Sequence, residues 1–244
     1  MDPLPDRYVQ WRYDFDAALQ SFMRPGLSVL DIGSGRKPTV PLGSRPADWT
    51  YAGLDLSRSE LEAAPPGSYD ETVIGDVADF RPELVGRFDL AVSFQVFEHV
   101  RQLPVAFENI YAYLRSGGSL VAYTAGTMAL HALANRMLPT SLARVVLEKV
   151  VGFRKPIAFP AYYDRCWYGA LHKDLSAWTN VEVIPLYLGA EYLGFAPPLR
   201  AAYLVYEDWA MRGGHRNLAT HYVLRASKPL AVPLATAALA SATA

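Results

Sequence analysis

Between residues 27 and 124 the chain repeats one pattern: a short apolar run, a polar or helical stretch, then another apolar run. The runs fall at 27–32, 50–54, 71–74, 88–94 and 119–124. Several are almost wholly apolar, as in Val29-Leu30-Asp31-Ile32 and Phe88-Asp89-Leu90-Ala91-Val92. A strand with one face in water alternates apolar and polar residues, whereas a continuous run suits a strand covered on both faces, at the centre of a parallel sheet. Strands of this kind alternating with helical segments predict an α/β domain. Helices are expected over 8–22, stopped by Pro25-Gly26, and over 103–114. In the second, Leu103, Phe107, Ile110, Tyr111 and Leu114 recur at helical spacing ahead of Gly117-Gly118. After residue 124 the pattern changes. Residues 127–151 read as a long helical stretch broken at Pro139, and 153–168 as an irregular aromatic segment. Helices follow over 171–178 and 199–211, with two further strands over 181–188 and 220–226.

Composition narrows the class. The 244 residues are 51% hydrophobic and 19% charged, enough apolar material for one large core and too little charge for a disordered chain. With 23 Lys and Arg against 24 Asp and Glu the net charge is -1, which argues against a nucleic-acid partner. The single cysteine, Cys166, excludes an internal disulfide framework and a cysteine-clustered zinc site, and fits a reducing, cytoplasmic setting. The first residues show no basic segment followed by an apolar run. Residues 230–244 are uncharged but contain Pro233 and fall short of the roughly 20 residues a membrane span needs, so they read as an Ala-rich tail.

Candidate chemistry begins at the end of the first strand. In Val29-Leu30-Asp31-Ile32-Gly33-Ser34-Gly35 a hydrophobic strand ends in an acid and a glycine turn, which lets the backbone turn tightly and a ligand approach the main chain. The second strand ends at Asp55, 24 residues after Asp31, where a carboxylate accepts hydrogen bonds from the two ribose hydroxyls of a nucleoside. The third ends in Gly75-Asp76-Val77. Three successive strands therefore place an acid at the carboxyl edge of the sheet, where open parallel sheets bind ligands.

In order along the chain, these motifs resemble those of the class I S-adenosylmethionine-dependent methyltransferases, particularly the small bacterial type with a Glu-His pair after the fourth strand. The resemblance also rests on Phe88-Asp89-Leu90-Ala91-Val92-Ser93-Phe94-Gln95-Val96-Phe97-Glu98-His99-Val100 and on Leu114-Arg115-Ser116-Gly117-Gly118-Ser119-Leu120. It implies a Rossmann-like, seven-stranded, mostly parallel sheet flanked by helices, its last two strands antiparallel, with a helical lid inserted after the fifth strand. The expected division is 1–126 for the cofactor-binding half, 127–169 for the acceptor-facing lid, 170–228 for the rest of the sheet and 229–244 for the tail. The implied cofactor is S-adenosylmethionine. Asp55 would hold its ribose, Asp76 and Val77 would border the adenine, and Gly33 and Gly35 would underlie the methionine part, with Asp31 nearby. Ser34, Leu56, Ser93 and Gln95 complete the expected cofactor set. One departure is Lys37, beside Arg36, where the family often has a third glycine.

Methyl transfer is an in-line displacement, so the protein mainly positions the acceptor and, where needed, removes a proton. His99 is the candidate base; its residue type and position read also as a histidine capping or bracing the next helix. Relatives that methylate catechols bind a divalent metal through an acid three residues before the Glu-His pair. Here that position is Gln95, a weaker oxygen donor, so no metal is expected. The 127–169 segment combines Arg136, Arg144, Lys149, Arg154, Lys155 and Arg165 with several aromatics. It could clasp an acceptor with a ring body and an anionic group, or lie on a membrane surface, or simply pack as a lid. His131, Tyr162, Tyr163 and Arg165 are the acceptor-site candidates. The expected function is methyl transfer to an oxygen, or secondarily a nitrogen, of a small metabolite or saccharide. The alternatives are a methyltransferase-like binding module without turnover and a nucleotide-binding enzyme such as a dehydrogenase.

Overall fold

The computed structural model describes residues 4–128 and 161–231. Seven strands form one sheet in the order β3-β2-β1-β4-β5-β7-β6. The parallel strands are β1 (Ser28–Ile32), β2 (Thr50–Asp55), β3 (Glu71–Ile74), β4 (Phe88–Phe94) and β5 (Leu114–Ala125). β7 (His221–Ser227) runs antiparallel between β5 and β6 (Thr179–Leu186).

The unbroken apolar runs have the expected cause. Val29 packs into the core on one face of the sheet, with Tyr51, Leu90, Val92 and Val121, beneath α1 (Arg7–Gln20). Leu30 and Ile32 enter the core on the other face, with Leu103, Phe107 and Ile110 of α3 (Leu103–Tyr113). α2 (Arg58–Glu62) follows β2, with Ser57 accepting from the Glu60 amide as its N-cap. α4 (Tyr168–Asp174) leads into β6, and α5 (Pro197–Arg212) joins β6 to β7.

The first four strands match the sequence pattern to within a residue. β5 starts five residues early because Leu114 pairs with Phe88, carrying the ladder through the Gly117-Gly118 stretch. β6 lies two residues N-terminal to expectation, because Leu188 leaves the ladder and its amide donates to Thr220 Oγ1. α4 likewise starts at Tyr168 and stops at Asp174, earlier than expected. The helix expected over 127–151 lies outside the described residues apart from Thr127 and Met128, as does nearly all of the 229–244 tail. Among the described residues no helix is long and apolar enough to cross a membrane.

Candidate functional site

The carboxyl ends of β1 to β4 line a cavity of about 500 Å³, within the range of small-molecule sites. Gly33, Asp55, Leu56, Asp76, Val77, Gln95, His99 and Tyr162 all line it, so residues up to 129 positions apart in the chain meet there.

At β1 the chain turns sharply. Gly33 has φ +68, and a Cβ on it would lie 2.2 Å from Val96 Cγ2, so both the backbone conformation and the close approach require glycine. Its amide donates to Leu54 O at 2.7 Å, tying the turn to β2. Ser34 and Gly35 continue the turn without lining the cavity; the Gly35 carbonyl accepts from the Tyr69 hydroxyl at 2.8 Å. Arg36, at the departure from the glycine pattern, folds outward onto Glu60 of α2, with Nε 2.6 Å from Oε2.

Asp31 does not face the cavity. It is fully buried beneath the turn, where its carboxylate accepts from the Thr39 amide, the Thr39 hydroxyl and the Tyr51 hydroxyl, each at 2.7 Å. Burial pushes it up to about 6 against these three donors. Its position makes it a support for the loop. Ser93 is similarly internal, its hydroxyl donating to Ile32 O at 3.2 Å across β4 and β1.

Asp55 is half-buried at the tip of β2. Its Oδ1 accepts from the Ser57 amide at 2.8 Å, and the Gly35 amide also bonds the carboxylate. Burial raises it above the ordinary carboxylate range, and those two amides oppose the rise. A carboxylate has about four lone-pair sites, so two amides leave capacity for two hydroxyl donors. Asp76 is set by its own loop, accepting from the Ala78 amide at 2.9 Å, and Val77 beside it is buried.

The Glu-His pair after β4 divides its roles. Both lie in a short 3-10 turn, Phe97–His99. His99 faces the cavity, while Glu98 points inward, 4% exposed, and accepts from the Thr124 hydroxyl at 2.8 Å. Burial raises Glu98, opposed first by the charge of neighbouring His99. The Glu98 carbonyl accepts from the Tyr162 and Tyr163 amides at 2.8 and 3.0 Å, fastening that distant segment to the site. Gln95, just before the turn, has φ +57 and donates its amide to Tyr123 O at 2.7 Å. Among the described residues no three His, Cys, Asp or Glu side chains cluster as metal ligands do.

The acceptor candidates separate. Tyr162 lines the cavity, with its ring under the Arg101 guanidinium at 4.6 Å. Tyr163 is buried against Ala125 and Ala161, outside the cavity lining, and burial holds its phenol well above the usual range. Arg165 is held away by Asp174, with Nε and one terminal nitrogen 2.7 and 2.6 Å from the two carboxylate oxygens. His131 lies outside the described residues. Sequence reasoning missed Arg101, Val96 and Val100, which also line the cavity. Their position directly beside His99 was the available signal.

A family model described as a methyltransferase domain matches residues 6–150. The chain belongs to the class I S-adenosylmethionine-dependent methyltransferases. Among curated members of this kind it is 31% identical over 118 residues to a polyketide methyltransferase of Ustilaginoidea virens, covering 41% of this chain and 27% of that protein. It is 31% identical over 121 residues to a ubiquinone biosynthesis O-methyltransferase of a Methylobacterium species, covering 45% of each. The chain thus spans less than half the length of the curated methyltransferases it matches. Haemonchus contortus phosphoethanolamine N-methyltransferase 2, solved with phosphomonomethylethanolamine and S-adenosylhomocysteine, shares the fold. Its TM-score is 0.55 at 17% identity, over 91% of this chain and 56% of that one.

Proposed function

We propose that this methyltransferase binds S-adenosylmethionine against β1, β2 and β3 and transfers its methyl group to an oxygen, or secondarily a nitrogen, of a small metabolite or saccharide. The observation that carries the reading is the single cavity that joins the Gly33 turn, Asp55, Asp76 and Val77 to His99. The residues suit that cofactor: Asp55 keeps lone pairs for a ribose diol, Ile32, Leu54 and Val77 give apolar walls for a base, and Gly33 leaves room for a chain beside Val96. When bound, the cofactor supplies an activated methyl group on a sulfonium whose sulfur leaves with the bonding pair. His99 takes the acceptor's hydroxyl proton as the new oxygen–carbon bond forms, and Gln95 and Val96 shape the wall between the two ligands. An oxygen acceptor is supported by the name of the ubiquinone biosynthesis relative. A cytoplasmic setting belongs to the same reading, supported by the lone, buried cysteine.

Calorimetric titration of the folded protein with S-adenosylhomocysteine tests the cofactor half, and a screen of hydroxylated metabolites and saccharides for methyl transfer tests the rest. Micromolar binding followed by turnover is the expected result. Binding without turnover on any acceptor leaves the binding-module alternative, and no binding overturns the reading.

A further inference from the structure

The cavity carries opposite charge on its two sides. Asp55 and Asp76 lie at the ends of β2 and β3, whereas Arg101 follows β4. β1 lies between β2 and β4, so at about 4.8 Å per strand the ends of β2 and β3 lie about 10 and about 14 Å from the end of β4. That separation lets one ligand meet the acids while a second meets the basic side.

Arg101 is placed for recognition. Its guanidinium carbon lies over the Tyr162 ring, 4.6 Å from the centroid, and both residues line the cavity. A guanidinium held against a ring by a cation–π contact does not spend its N–H donors on that contact, and their planar fork matches carboxylate or phosphate oxygens. Several other arginines are paired with carboxylates, Arg36 to Glu60, Arg87 to Glu71, Arg115 to Asp89 and Arg165 to Asp174, and those that sit over rings without one, such as Arg12 and Arg216, lie outside the cavity lining. Among the described residues, Arg101 has an aromatic ring for a neighbour and no carboxylate within 4 Å. The pair is also set in advance, because the Tyr162 amide is fixed to the Glu98 carbonyl at 2.8 Å, which lowers the ordering cost of binding.

We propose that Arg101 and Tyr162 form an anion-binding subsite on the acceptor side of the cavity, selecting a small acceptor that carries a carboxylate or phosphate group on a planar or apolar body. The proposal rests on the methyl-transfer reading for calling that side the acceptor's; the anion chemistry of the subsite does not. It moves the charge recognition expected of the 127–169 segment onto a residue that follows the Glu-His pair.

The test uses the full chain saturated with S-adenosylhomocysteine, titrated with benzoate, benzamide and inorganic phosphate. Benzoate binds about tenfold or more tighter than benzamide, the scale of one charge-assisted hydrogen-bonded pair. Arg101→Gln brings benzoate and benzamide to within about twofold of each other, Arg101→Lys retains part of the preference, and Tyr162→Leu weakens benzoate more than Tyr162→Phe does. Saturable phosphate binding that Arg101→Gln abolishes supports the subsite equally, and the tighter of the two anions names the group. The proposal is overturned if neither anion binds saturably, if benzoate binds no tighter than benzamide and phosphate is indifferent to Arg101→Gln, or if Arg101→Gln leaves the benzoate preference intact. S-adenosylhomocysteine affinity stays the same in all variants. Should the wild type fail to bind it, the methyl-transfer reading falls, and the same titrations on the unliganded protein still decide the role of Arg101.

Discussion

The two sides of the cavity are built by different means. The β1–β3 side comes from residues 31–78, and its groups are set by main-chain amides of that stretch: the Ser57 and Gly35 amides on Asp55, and the Ala78 amide on Asp76. Where the backbone must enter the left-handed region, glycine does it, at Gly33 and Gly35. The β4 side is assembled from residues 95–101 and 161–166, and there non-glycine residues take that conformation: Gln95 at φ 57, Tyr163 at 50 and Arg165 at 56. Such residues cost on the order of 1–2 kcal/mol each and persist only where surrounding structure holds them. Here the holders come mostly from distant segments, Gln95 to Tyr123 and Tyr163 to Glu98, with Arg165 held by Asp174 at the end of α4. The first side is fixed by residue type over a short stretch of chain. The second depends on contacts between distant segments, so substitutions there can change acceptor choice and leave cofactor binding intact.

Variants sharpen that contrast. The largest effect is expected from His99→Ala, which lowers turnover by about 100-fold or more with S-adenosylhomocysteine affinity unchanged; steady-state kinetics beside calorimetry reads both. If stability falls while turnover per folded molecule holds, His99 is a brace. Next is Asp55→Ala, which weakens cofactor binding by about 1.5–3 kcal/mol through lost charge-assisted hydrogen bonds, while the benzoate preference survives. Equal affinity in wild type and variant would place the ribose elsewhere.

Asp31, on the first side but turned away from the cavity, gives a pH signature. Its folded value of about 6 lies above its ordinary 3.8, so the stability it contributes is fully present below that ordinary value and is lost as pH rises through about 6. A rise of about two units corresponds to about 3 kcal/mol. Urea unfolding at pH 4 and pH 7 is therefore expected to show wild type losing stability relative to Asp31→Asn by up to that amount; a flat difference removes the assignment. The smallest expected effect is Gln95→Gly, where relief of the left-handed backbone outweighs the extra freedom of the unfolded chain and stability rises by up to about 1 kcal/mol. A loss on urea unfolding would mean that the Gln95 side chain itself holds the β4 turn.

How much was legible in the sequence follows the same division. The runs around Val29–Ile32 and Phe88–Val92 announce strands covered on both faces, and Gly33 and Asp55 mark the sheet edge, because their chemistry is local. Asp31 and Ser93 belong to the same motifs, yet which side of a strand end a side chain takes depends on what packs there: Thr39 and Tyr51 for one, Ile32 for the other. The acceptor candidates were harder. Arg165 looked like a ligand cation until Asp174, nine residues on, took its guanidinium. Arg101 escaped notice because its partner Tyr162 is 61 residues away, beyond any periodicity.

The antiparallel placement of β7 between β5 and β6 also bears on how the chain is made. During synthesis β6 emerges before β7, the strand it pairs with among the described residues, and β5 keeps an open edge until His221–Ser227 leaves the ribosome. The helix that opens the described chain waits as well: Arg7 and Tyr8 of α1 meet Glu207 only once α5 exists. Two-thirds of the sheet can therefore form early, while an unpaired edge and the unanchored Arg7–Tyr8 end of α1 persist until α5 and β7 are made, the interval in which a nascent chain is most exposed to aggregation and most dependent on chaperones.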